Sequence, residues 1–183
     1  HEFMVPSPVG EDVLIRCMKC GYSANRERAE AAPIPREDHA TLQALKEVLT
    51  PDKHTIQEVS NFLKVQSSQM VKTMIFISNG QPVAVLLRGD HEVNETKLAK
   101  ALGQDAIALA DHSTIENVTG ARVGFAGPMG LKIKIIADQA VTVLCNFVTG
   151  ANKSDTHLLN VNNERDFKID RIADIRYVTK GDK

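Results

Sequence analysis

At 183 residues and 20.1 kDa the chain has the size of one ordinary domain, with or without a flanking piece of another, and holds enough residues for a core that needs no staples. Apolar residues at 43% and charged residues at 25% fit a folded globular protein and exclude wholesale disorder. Lys plus Arg (22) and Asp plus Glu (23) leave a formal net charge of −1, which excludes a general nucleic-acid coat but not the grasp of a single nucleotide or chain end.

In chain order, His1-Glu2-Phe3 reads as a cloning scar. No basic-then-apolar leader is visible at the start, and no apolar run reaches the ~20 residues that cross a bilayer. Val13 to Cys17 has strand character and ends at Cys17-Met18-Lys19-Cys20-Gly21. Asn25 is placed to cap a short helix from Arg26 to Ala32. Pro33-Ile34-Pro35-Arg36-Glu37-Asp38 is the clearest linker, since two closely spaced prolines break helix and central strand alike. A domain boundary is expected there.

Beyond the linker, Thr55-Ile56-Gln57-Glu58 is a capping box, and Ile56, Val59, Phe62 and Leu63 follow at helical spacing. Val71 to Ser78 and Pro82 to Arg88 read as strands of a hairpin turned by Asn79-Gly80. Asn94 opens a helix with Leu98, Ala101 and Leu102 on one face, stopped by Gly103; a second helix, Ser113 to Val118, is closed by Gly120. Strands are expected at Lys132 to Ala137, near Val143, at Thr156 to Val161 and at Ile175 to Val178. The lack of a steady βαβ rhythm points to an α+β fold with a mixed sheet.

Four groups of residues bear on chemistry. Cys17-x-x-Cys20 looks like half a zinc knuckle, but only Cys145 and scattered histidines remain as ligands, so a turn is favoured and no metal is expected. Three cysteines also make no disulfide framework, which points to a reducing, cytoplasmic setting. Arg88-Gly89-Asp90-His91-Glu92 could ligate a metal or relay a proton only if its side chains converged. Adjacent residues on an extended segment diverge, so a loop tied by Arg and Asp is the favoured reading. Gly124-Phe125-Ala126-Gly127-Pro128-Met129-Gly130 is either an open arc of N–H groups suited to an oxyanion or phosphate, or a tight helix-to-strand connection. Lys72 shares a strand face with Met74 and Phe76, either snorkelling or awaiting an anion. His39, His54 and His112 are isolated, and no serine-hydrolase elbow, Walker loop or zincin motif is present.

Taken together, Val71-Lys72-Thr73, the run Leu86 to Glu95, the Gly-x-x-x-Pro loop Gly124 to Pro128, Gly150-Ala151-Asn152, His157 and Asn160-Val161-Asn162 resemble the editing (insertion) domain of bacterial prolyl-tRNA synthetase. That domain is a relative of the free-standing YbaK-type aminoacyl-tRNA deacylases. The resemblance runs from about Thr41 to Arg171. It implies a compact α+β fold with a mixed, partly barrel-like sheet surrounded by helices, and hydrolysis of alanyl-tRNA specific for proline without a cofactor. It also implies the division 1–3 scar, 4–36 flanking segment of a parent catalytic domain, 37–172 editing domain and 173–183 return segment. The family's lysine maps onto Lys72 and its loop onto Gly124, Gly127 and Pro128, as the catalytic set. The substrate pocket maps onto Ile56, Val59, Phe125, Ala126 and His157, with Val59 where leucine is expected. The partners implied are the 3′ acceptor end of a mischarged tRNA and the parent catalytic domain in cis. A free-standing deacylase and a non-catalytic tRNA-binding module are the alternatives.

Overall fold

The computed structural model of the chain describes residues 7, 9–10, 12–33, 35 and 41–182. The expected scar His1-Glu2-Phe3, His39, and Ile34 with 36–38 of the expected linker lie outside them. Strands β1 (Leu14–Arg16) and β2 (Ser23–Asn25) form an antiparallel hairpin around the cysteine turn. The helix expected over 26–32 does not form. Asn25 Oδ1 accepts from Arg28 N at 2.9 Å and closes a single turn. Beyond it, Glu30 N donates to Tyr22 Oη and Ala31 N to Asp174 Oδ2, so tertiary acceptors take the N–H groups that a helix needs.

β3 (Lys46–Leu49) leads to α1 (Ile56–Leu63), whose capping box is complete: Thr55 Oγ1 accepts from Glu58 N at 3.2 Å, and Glu58 Oε2 accepts from Thr55 N at 2.9 Å. β4 (Val71–Ser78) and β5 (Gln81–Arg88) follow as the hairpin, with Asn79 at φ 49° and Gly80 at φ 72°. Two left-handed residues in succession are what a tight right-twisted hairpin requires. α2 (Glu95–Leu102) is capped by Asn94 and stopped by Gly103, β6 (Ala108–Leu109) is a short edge strand, and α3 (His112–Thr119) stops at Gly120. β7 (Lys134–Asp138) passes directly into α4 (Gln139–Thr142), because Asp138 accepts from Ala140 N and starts a helical turn. Val143 therefore closes a helix, and the strand expected near it comes later as β8 (Phe147–Gly150). β9 (Thr156–Val161) and β10 (Arg171–Ala173) complete the order. The strand expected at Ile175 to Val178 is displaced to β10, and only Arg176 bridges, to Val93.

Among the described residues three sheets form, none closed on itself. The largest has the order β10-β7-β5-β4-β6, antiparallel on both sides of β4 and parallel among β5, β7 and β10. The second, β3-β9-β8, is antiparallel, and it meets the first through a parallel bridge between Met70 and Val148. The fold is thus α+β with a mixed sheet. One core fills the space between these sheets, from Val71, Ile75 and Leu86 to Phe147, Leu158 and Phe167. A second covers the other face of the large sheet, where Phe76, Val85 and Leu87 meet Leu98 of α2, Ile136 and Ile175. A third, small cluster of Val59, Met70 and Val148 seats α1 over the junction of the two sheets.

Candidate functional site

The Met70–Val148 bridge decides what lies next to what. Side chains alternate along a strand, so Lys72 projects from the Met70 face of β4 and Gly150 lies on the Val148 face of β8. Lys72 follows Met70 by two residues on β4 as Gly150 follows Val148 on β8, so each lies on the same side of its strand as its bridge residue. Gly150 pairs with His157 across the β8–β9 ladder, and directly paired residues share a face. α1 covers the near end of this face: Val59 packs on Met70 and Val148, and Ile56 Cγ2 lies 3.2 Å from where a Cβ on Gly89 would stand. Met74 and Phe76, further along β4, belong to the core under α2. Lys72, between these two stretches of the strand, is half-buried.

The glycine loop presses onto the same place. A Cβ on Gly150 would fall 2.3 Å from both the Phe125 and Ala126 carbonyl oxygens, so only glycine lets the loop lie directly on β8. At Gly124 (φ 99°) a Cβ would stand 2.9 Å from His54 O. The Phe125 ring, fully buried, is held edge-on between His54 and His157, at centroid distances of 5.1 and 5.7 Å. The 124–128 loop and His157 thus meet around Phe125, Ile56 and Val59 pack beside Met70 and Val148, and strand alternation puts Lys72 on the Met70 side of β4. His54, assigned no role from the sequence, belongs there too, and so does Thr50, whose Oγ1 lies 2.7 Å from His157 Nδ1. Neither carried a sequence signal, because both reach the site only through the folding of the 50–55 turn.

The N–H groups of the loop are not all open. Gly127 N donates to Asn152 Oδ1 at 2.8 Å and Phe125 N to Arg122 O at 3.3 Å. Gly127 is therefore not an open donor, contrary to its expected place in the arc. Among the described residues, Gly124 N and Ala126 N make no backbone hydrogen bond, and Pro128 has no N–H to give. Burial lowers the Lys72 pKa, opposed by the Glu92 and Asp90 carboxylates. Burial likewise pushes the His157 pKa down to about 4, so its ring is neutral near pH 7 and serves as a wall and hydrogen-bond partner rather than an acid.

The other groups of interest lie apart from this face or are tied up. Arg88 grips Asp90 through two bonds of 2.6 and 3.0 Å, side chain to side chain. Cys17 and Cys20 sit on the β1–β2 turn, where the N–H groups of Cys20 and Lys19 lower the Cys17 pKa. Among the described residues no three His, Cys, Asp or Glu side chains are placed to hold a metal ion, and no helix is long and apolar enough to cross a membrane. An open groove of about 1030 Å³ runs between residues 27–33 and α2, away from the glycine loop.

Residues 50–167 match the family model of the aminoacyl-tRNA editing domain. Aligned over 182 residues, the chain is 50% identical to the proline--tRNA ligase of Geotalea daltonii, 51% to that of Geobacter sulfurreducens and 50% to that of Caldicellulosiruptor saccharolyticus. All of this chain is covered and 32% of each relative, so it spans about a third of the curated relatives it matches. Among solved structures it resembles the hypothetical protein APE2540 (TM-score 0.60, 22% identity, 73% of this chain and 91% of that one). It also resembles a candidate trans-editing enzyme for prolyl tRNA synthetase (TM-score 0.61, 16% identity, 73% and 87%). At those identities the likeness establishes a shared fold.

Proposed function

Since the chain belongs to the aminoacyl-tRNA editing domain family, we propose that it hydrolyses the ester of a wrongly charged tRNA, with alanyl-tRNA specific for proline as the substrate. Water adds to the ester carbonyl, the bond to the ribose oxygen breaks, and alanine and a free 3′-terminal hydroxyl are released with one proton. The observation that supports the reading is the glycine loop seated on β8 against His157, with the Ile56/Val59 stripe packed beside Met70 on the strand that carries Lys72. An aminoacyl ester is already activated, so positioned water and support for the oxyanion suffice without a nucleophilic triad.

In this reading Gly124 N and Ala126 N hold the developing oxyanion, while Gly127 and Pro128 shape the loop that presents them. Lys72 binds the phosphate or sugar of the terminal adenosine and orients the ester, and the substrate's own 2′-hydroxyl helps to place the water. Ile56, Val59, Phe125 and the neutral His157 ring line the side-chain pocket and keep proline from reacting. Such a second sieve is needed because one methylene is worth only about 1–3 kcal/mol in a pocket.

The partners proposed are the acceptor end of tRNA for proline and a parent synthetase joined in cis, with residues 4–36 and 173–183 as the connecting segments of an editing domain at 37–172. Contacts between residues 26–31 and 174–177 favour this over a free-standing enzyme: Ala31 N donates to Asp174, and the Arg26 guanidinium lies 4.4 Å from the centroid of the Tyr177 ring. Entry and exit of an inserted domain have to lie together in this way.

The test is a deacylation assay on tRNA for proline charged with alanine, serine, glycine or proline. Alanine release with prolyl-tRNA spared is the expected result, and Lys72→Ala should lower the rate about 10²-fold with an unchanged melting temperature. Binding of tRNA without any hydrolysis would make the chain a non-catalytic module and end the reading.

A further inference from the structure

Asn152 lies in the turn between β8 and β9 at φ 54°. Its main-chain N–H donates to Phe125 O at 2.9 Å. Its side chain accepts from Gly127 N at 2.8 Å and donates from Nδ2 to Gly127 O at 3.0 Å and Met129 O at 2.7 Å. One residue thus makes four bonds to the loop and takes hold of both polar groups of Gly127. The requirement is narrow: an acceptor and two donors on one short planar group, on a backbone that is left-handed. Asparagine meets both conditions, since its amide supplies the atoms and it tolerates positive φ.

We propose that Asn152 is a positioning residue for the ester hydrolysis, a role that rests on the deacylase reading. It fixes residues 124–129 against the β8–β9 hairpin, so that the oxyanion donors at Gly124 and Ala126 keep a set place relative to His157. The bonds run to the loop backbone, so the residue acts through the loop. A misplacement of about 1 Å in such donors costs about 10²-fold in rate, whereas the affinity for the tRNA, spread over many contacts, changes little.

Asn152→Gly is the cleanest variant, because it removes the three side-chain bonds while leaving the left-handed backbone unstrained and the bond to Phe125 O possible. Asn152→Asp keeps the acceptor for Gly127 N but turns a carboxylate oxygen toward two carbonyls. Steady-state deacylation of alanyl-tRNA by this chain, with kcat and KM separated, should show kcat lower by about 10²-fold in both variants and KM within about twofold. Amide exchange at Gly127 should quicken in the glycine variant while exchange in the β4–β5 strands stays slow. A glycine variant as fast as the wild type overturns the inference and leaves the deacylase reading standing. An equal loss of protection throughout the fold also overturns it, since Asn152 is then a stability residue. A wild-type chain that does not hydrolyse the ester overturns the deacylase reading and this inference with it.

Discussion

His157 stands between a structural and a chemical demand. Its ring is 4% exposed, bonded to Thr50 and packed on Phe125, and burial pushes its pKa down to about 4. His91, beside the Arg88–Asp90 pair, is likewise pushed down to about 4 by burial and by the Arg176 and Arg88 charges. An unfolded histidine titrates near 6.5, so between there and pH 4 the unfolded chain binds protons that the native one refuses. The native state therefore keeps its full stability above about pH 6.5 and loses up to about 1.4 kcal/mol per pH unit per ring as the pH falls toward 4. Asp138, raised by burial above the usual carboxylate range, works in the opposite sense at the acid end. Urea unfolding from pH 7.5 to 4.5 should show this decline, and His157→Gln should make it shallower. An unchanged slope in that variant would mean that the His157 ring is not buried in its neutral form. None of this was legible from the sequence, because a histidine's partner and burial depend on where residues some hundred positions away arrive. The glycine loop was legible as a place where backbone groups gather. That Asn152 consumes the N–H of Gly127 was not, since it depends on how the β8–β9 turn packs.

Among the elements, α1 has eight residues, too few to persist alone in water. Its capping box and the burial of Val59 on Met70 and Val148 hold it in place. Ile56 and Val59 ride on its first turns, so the cap also sets the wall of the candidate pocket. Thr55→Ala should lower stability by about 1 kcal/mol, read as a shift in the urea midpoint, with Thr55→Ser restoring most of it. No shift at all would mean that packing alone fixes the helix start. The elements that the sequence disclosed are those whose ends carry such chemistry: Thr55 with Glu58, Asn79-Gly80 in the hairpin, and Asn94 with Gly103 around α2. β3 and β6 have four and two residues, mostly exposed and without a clear period. Pairing with β9 and β4 makes them strands, and pairing is a tertiary fact. Lys72 shows the same limit from the other side. Alternation gives its strand face correctly, but its half-burial depends on which neighbours the fold brings over that face.

For the whole molecule, the junction of residues 26–31, 92–97 and 174–182 matters most, because it ties the N-terminal hairpin and the chain after β10 to α2 and its approach. Lys97 Nζ donates to Asp174 at 2.8 Å and to Arg176 O at 3.0 Å; Tyr177 N donates to Glu92 O, and the Glu92 carboxylate lies 3.7 Å from Arg26. Arg176, 3% exposed, anchors the junction through two 2.7 Å bonds to Asp182, with its Nε 3.6 Å from Asp138 Oδ1. Asp138 is itself 1% exposed and accepts from Ala140 N and Ile175 N, so its charge depends on those N–H groups and on Arg176. Truncating one partner of a buried pair leaves the other charge uncompensated, and Arg176→Ala should destabilise the fold by roughly 3 kcal/mol. Arg176→Lys should recover little, because a point charge cannot make the two-pronged bond to Asp182. Adding Asp138→Asn to Arg176→Ala should restore little of the loss: the amide no longer needs the cation, but its NH2 replaces one of the two oxygens that accept from Ala140 N and Ile175 N. Equilibrium urea unfolding of the four proteins measures all three expectations. A loss for Arg176→Ala within about 0.5 kcal/mol of zero, the value of an ordinary surface substitution, would show that residues 174–182 are held by the burial of Ile175 and their backbone bonds and that the Arg176 charge is incidental.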